Sequence, residues 1–173
     1  WKINSIFVPG DGFSVFDSLF DATALTWQIY ADDGGIPAGD PSGASSPPVW
    51  SLTLAPSDPK VTISPGYSGN PSNTLLQLSS PLKLSSGHYW LLFYPTMNAS
   101  QGGYGLKPAN TNNGGVAKFI NPNGGFGLGT EWQDWTVAGA PTHDFAFSIG
   151  GTTGPSWKSI SSINTLGRGY ALP

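Results

Sequence analysis

The sequence predicts an all-β protein: an antiparallel two-sheet β-sandwich, jelly-roll-like, with a C-terminal extension. Three observations lead there. Short apolar or alternating runs recur along the chain with turn residues between them. Glycine and proline together supply 40 of the 173 residues (24 Gly plus 16 Pro) while aromatics stay at 13%, a balance that fits many folded turns rather than disorder. No long stretch keeps helical periodicity, and only residues 14–20 have the pattern of a short helical turn. At this length the chain buries a sizeable core as one domain, without covalent staples.

The strands follow in order at residues 2–8, 25–31, 49–54, 60–64, 74–79, 88–94, 116–120, 132–137 and 144–149. In "L-T-W-Q-I-Y-A" the residues Leu25, Trp27, Ile29 and Ala31 share one face, because strand side chains alternate. Phe145, Phe147 and Ile149 do the same in "D-F-A-F-S-I". The run "H-Y-W-L-L-F-Y-P" is apolar on both faces, which predicts a central, doubly covered strand ended by Pro95. Trp27, Trp90 and Trp50 are expected in the core.

The texture changes near Gly150, so the domain is placed at 1–150 and the extension at 151–173. "G-G-T-T-G-P" (150–155) reads as a linker. Beyond it Trp157, Ile160, Ile163 and Leu166 recur at a spacing of three, too apolar for a segment held in water. Two readings stand for this tail. It is an edge strand or strap on its own domain, or an arm that docks on a neighbouring copy by strand addition.

"T-W-Q-I-Y-A-D-D-G-G-I-P-A-G", then "L-Q-L-S-S-P-L-K-L-S-S-G-H-Y-W-L-L-F-Y-P", then "D-F-A-F-S-I" resembles a recurrent domain of secreted bacterial proteins. That group has, in order, a strand ending in Tyr-x-Asp, a Gly-Gly-x-Pro bend and a Gly-x-Tyr-Trp-Leu strand. The resemblance covers residues 1 to 150. It implies a sandwich and an exported, non-catalytic module, and it brings no catalytic residues with it.

Composition narrows the function classes. Charged residues are 10% of the chain and the formal net charge is −3, which leaves no basic footprint for nucleic acid or an anionic membrane. No membrane span is visible. Cysteine is absent, which removes disulfides, zinc thiolates and cysteine nucleophiles. Few Lys and Glu, much Ser, Thr, Asn and Gly, and a start at Trp1 rather than Met lead to an expectation of export to the cell surface or beyond.

Catalytic sets are not assembled by the sequence. "G-Y-S-G-N" (66–70) lacks the last glycine of a nucleophile elbow, and His88 and His143 each begin an expected strand. His143 and Asp144 are neighbours, which in a strand point to opposite faces. Glu131 is the only glutamate, and Asp134 three residues on falls on the other face of a strand, against the opposed carboxylates of a glycosidase. The expectation is a protein without enzymatic activity.

Two binding chemistries stay open. "Y-A-D-D-G-G-I-P-A-G-D" offers Asp32, Asp33 and Asp40 to a calcium ion, which wants six to eight oxygens. The same residues are default turn formers, and that reading is preferred. No other cofactor is expected. Carbohydrate would be bound by exposed aromatics stacked on sugar rings, with amides and carboxylates at their rims. Tyr67 and Tyr104 as loop aromatics, and Trp132, Gln133, Asp134 and Trp135 in "E-W-Q-D-W", are the candidates; they serve equally as caps on the core. The leading expectation is a structural module of a filament, sheath or matrix, whose partners are copies of itself. Binding to a polysaccharide is the alternative.

Overall fold

The computed structural model describes residues 1–43, 45–110, 116–122, 129–138, 144–152 and 170–171. Thirteen strands are described: β1 (Lys2–Val8), β2 (Gly10–Phe13), β3 (Ala24–Asp33), β4 (Ile36–Pro37), β5 (Trp50–Leu54), β6 (Val61–Pro65), β7 (Pro71–Lys83), β8 (Tyr89–Thr96), β9 (Gly103–Leu106), β10 (Lys118–Ile120), β11 (Gln133–Asp134), β12 (Ser148–Thr152) and β13 (Tyr170–Ala171). The fold is all-β, a sandwich of antiparallel sheets.

One sheet has the order β12–β1–β7–β6. The other is built on β3, flanked by β5 and β8, with β4 closing a hairpin on its end. The chain changes sheet between β1 and β3, β5 and β6, β7 and β8, and again before β12. The inward faces meet as Ile3, Ile6, Val8, Leu76 and Ile149 against Leu25, Trp27, Ile29, Leu91 and Phe93, all buried in one cluster. The alternation read in β3 and β8 thus decides which side of each strand is dry.

In β1, Ile3 and Ile6 are both fully buried although a regular strand would send them to opposite faces. The register against β7 and β12 shifts between Ile3 and Ser5. An extra residue there resets the alternation and lets both isoleucines enter the core.

Several expected elements change. β8 is covered on both faces, with Leu91 and Phe93 on the core side and Trp90 and Leu92 in a second cluster, but the central position belongs to β3. Trp50 is half-buried against the main core and Trp90 lies in the second cluster rather than the first. The strand expected at 132–137 stops at Asp134 and continues as a 3-10 turn (Trp135–Ala138). The strand expected at 144–149 begins only at Ser148 and runs through Gly150 and Gly151 to Thr152, into the segment read as linker. Phe145 instead makes a single bridge to Pro108. The helical turn expected at 14–20 is a 3-10 turn at Leu19–Asp21, started by the Ser18 hydroxyl accepting from the Phe20 amide at 3.0 Å.

The β2–β9 ribbon was hidden by its glycines, which read as loop. Gly10 is there because a Cβ would collide with the phenol of Tyr104, so the bare backbone lets that ring pass.

Candidate functional site

Asp32 lies at the end of β3, and its two carboxylate oxygens are both engaged. One accepts from the Trp90 indole N–H at 2.6 Å, and the other accepts from the Gly35 amide at 3.2 Å. Gly34 and Gly35 have φ of +63° and +94°, and Asp33 pairs with Ile36 across them. That is the two-residue hairpin with left-handed central residues that glycine forms without strain. Asp33 stands exposed at its tip. Asp40 accepts from the Ser42 amide at 2.7 Å and from the hydroxyls of Ser42 and Ser45. Burial pushes the Asp40 carboxyl up, but those donors outweigh it and hold it below its ordinary value. The described residues contain no group of three or more His, Cys, Asp or Glu side chains placed to hold a metal. Asp32 and Asp40 each complete a turn of their own.

The six candidate sugar contacts are dispersed. Tyr104 is on β9, not in a loop, and is fully buried. Its hydroxyl donates to the Ser72 carbonyl at 3.0 Å, and its ring lies 5.7 Å from Phe93 and 6.1 Å from Phe16. Burial pushes its phenol well above the ordinary range, with the Asp11 charge adding to the effect. A ring so enclosed presents no face to a ligand, which removes Tyr104 from the set.

Trp132 is half-buried against the cluster of Tyr30, Trp90, Leu92 and Ile120, and its indole N–H donates to the Gly39 carbonyl at 2.8 Å. Trp135 belongs to another cluster, with ring centres 5.6 Å from Phe119 and 5.3 Å from Phe145. Both tryptophans therefore fasten the segment around β10 and β11 to the sandwich. Gln133 and Asp134 form β11, and Asp134 pairs with the Lys118 ammonium across the β10–β11 ladder.

Tyr67 is the one aromatic of the set left open, at 87% exposure. It sits in the turn between β6 and β7, and the Lys107 ammonium lies 4.3 Å from its ring centre. Lys107 also pairs with Asp11 at 3.3 Å, and Asp11 accepts from the Ser68 hydroxyl and from the Gly12 amide at 3.2 Å. Burial pushes the Asp11 carboxyl up, but Ser68, Lys107 and Gly12 together hold it lower than usual. Asp11 and Lys107 were missed by sequence reasoning. Residues 11, 67 and 107 are brought together by the β2–β9 ribbon, and no local pattern announces that meeting.

The remaining chemistry stays apart. His88 precedes β8 and its carbonyl accepts from the Asp32 amide at 3.1 Å, while Glu131 is exposed. His143 lies outside the described residues, as do Trp157, Ile160, Ile163 and Leu166. Beyond β12, Tyr170 and Ala171 of the tail are described, as β13. It runs parallel to β10, with Tyr170 opposite Phe119 and Ala171 opposite Ile120, and lies beside β8. Among the described residues no helix is long and apolar enough to cross a membrane. Comparisons with protein families, with curated proteins and with solved structures find no match.

Proposed function

We infer that this chain is a non-catalytic structural module of the cell exterior that associates with copies of itself through strand and tail contacts. The outer edge of β8 carries the reading. β5, β6, β8 and β12 are the outermost strands of the two sandwich sheets. β8 runs eight residues, against five for each of the others. It has no charged side chain, and Trp90, Leu91, Leu92 and Phe93 are all buried. Among the described residues its only ladder is with β3. A long, apolar edge without charges is a template for an added strand unless something covers it.

β13 supplies the second part of the argument, because it lies near β8 while pairing with β10. Residues 153–169 separate it from β12, a contour of at most roughly 60 Å. Such a length reaches the β8 edge of the same chain or of an adjacent one. The low charge content reduces repulsion between close copies. The exported setting rests on the composition and on the resemblance of residues 1–150.

Sedimentation and electron microscopy of the whole chain, beside a chain ended at Thr152, test this. The expected result is ordered assemblies from the first and a folded monomer from the second. A whole chain that stays monomeric over a wide concentration range overturns the reading, and so do unchanged assemblies from the shortened chain.

A further inference from the structure

We propose that the turn bearing Tyr67 is a binding site for neutral polysaccharide, built with Asp11, Ser68 and Lys107. The site is distinct from the β8 edge and does not depend on self-association. Its first feature is an aromatic ring at 87% exposure, presented to solvent rather than folded against the domain. Its second feature is rigidity. The Gly66 amide donates to the Asn70 carbonyl at 2.8 Å, and the Gly69 amide to the Gly66 carbonyl at 3.1 Å. The Asn70 side chain reaches across to the Phe16 carbonyl at 3.0 Å, and Ser72 donates to the Gly10 carbonyl at 2.9 Å. The turn is thus bolted to the β2 region, and holding a loop in its binding geometry beforehand lowers the entropic cost of capture.

The third feature is the set of polar groups beside the ring. The Lys107 ammonium lies over one face of the Tyr67 ring, 4.3 Å from its centre, and is anchored by Asp11, which is anchored in turn by Ser68; the opposite face is the one open to a ligand. A pyranose offers a ring face of C–H bonds and a rim of hydroxyls. The face of Tyr67 opposite Lys107 matches the first, and the polar turn around it suits the second, while the Lys107–Asp11 pair backs the ring. Asp11 and Lys107 cancel in charge, which favours a neutral sugar over an acidic or basic one. A protein partner would want an apolar surround to exclude water from an anchoring tyrosine. The turn around Tyr67 is Gly66, Ser68, Gly69 and Asn70, which is polar or bare. One stacking ring holds each sugar unit weakly, and a polymer with many units gains by multivalency.

Ligand-observed saturation-transfer NMR on the whole chain tests the site, using neutral hexasaccharides of β-1,4-glucose, β-1,3-glucose, β-1,4-mannose and β-1,4-xylose. The method reads monomers and assemblies alike, so its outcome is separable from that of the assembly experiment. Transfer to at least one hexasaccharide is expected, with a loss of about tenfold in affinity for Tyr67→Ala and retention in Tyr67→Phe. Asp11→Asn is expected to weaken transfer while leaving the ring in place. Tyr67 is exposed, so its variants keep the fold. No transfer to any of the four sugars overturns the proposal, and so does equal transfer to Tyr67→Ala.

Discussion

The two faces of the β3–β8 ladder are built on different principles. On the inner face Leu25, Trp27, Ile29, Leu91 and Phe93 interlock with the opposing sheet, and the Trp27 and Phe93 rings lie 5.0 Å apart. On the outer face Tyr30, Trp90 and Leu92 are covered by Ile120 and by half-buried Tyr94 and Trp132. There each large ring has a bonded polar tip. Tyr30 donates to the Gln28 side chain at 3.0 Å, Trp90 to Asp32 and Trp132 to the Gly39 carbonyl. The inner face is held by close packing, whereas the outer one adds directional bonds, two to side chains of β3 and one to the Gly39 carbonyl beyond β4. The two should fail differently.

The largest loss is expected from the inner face. Trp27→Ala removes a fully buried ring between two sheets and should cost about 3–5 kcal/mol, read by chemical denaturation. Trp27→Phe sharpens the point, because the Trp27 indole N–H has no hydrogen-bond partner among the described residues. The smaller ring leaves a cavity but also removes that desolvated donor, so its cost should fall well below that of alanine. Equal costs for the two variants would mean that packing is not what holds this face.

The outer face responds to loss of a single bond. Trp90→Phe keeps most of the ring while leaving Asp32 without its indole donor, at an expected cost of about 1.5–3 kcal/mol. Combined with Asp32→Ala in a double-mutant cycle, the two costs should be clearly non-additive. Additive costs would show that Trp90 is held by packing alone, as on the inner face.

The inner face was legible in the sequence for the same physical reason that it is stable. Burial of one strand face imposes a period of two, and Leu25, Trp27 and Ile29 display it openly. The outer face was legible only as the doubly apolar run of β8, because Ile120 and Trp132, which pack on it, lie far along the chain. Trp132 read equally as a sugar contact or a cap on the core, since nothing nearby in sequence reveals that Gly39 would accept its N–H. Tyr104 misled for a similar reason. "Q-G-G-Y-G-L" has the composition of a loop, and only the missing Cβ of Gly10 in β2 makes room for the Tyr104 ring there. The cluster at Tyr67 depends on three segments meeting, while the turns at Asp32 and Asp40 were readable because the donors that close them, Gly35, Ser42 and Ser45, are local; the Trp90 indole on Asp32 was not.

A smaller effect on the outer face is expected at high pH. Burial pushes the Tyr94 phenol above its ordinary value of 10.0, with the Thr26 hydroxyl opposing that rise in part. A group whose pKa is raised on folding contributes stability that is complete below pH 10 and is lost as pH rises through the folded value. Each pH unit in that window costs at most about 1.4 kcal/mol for one phenol. Tyr94→Phe should therefore flatten the fall in stability between pH 10 and pH 11, measured by denaturation at each pH. An unchanged slope would place Tyr94 in water rather than against the outer cluster.

The smallest expected effect is at the hairpin and loop that border the outer face. A calcium ion would need several oxygens from Asp32, Asp33 and Asp40, but two of these carboxylates are already taken. Asp32 is the acceptor for Trp90 and Gly35, and Asp40 for the Ser42 amide and the Ser42 and Ser45 hydroxyls. Capturing an ion would compete with the bonds that fix both turns and with the indole that anchors the outer cluster. A ligand that binds only the folded state raises its melting temperature, so the absence of binding has a clear signature. Addition of calcium or of a chelator should shift the melting temperature by less than about 1 °C. A rise of several degrees with calcium, abolished in Asp40→Asn, would show that the serine hydroxyls merely hold the carboxylate in place for a metal. The outer face would then be secured by an ion instead of by its own side chains.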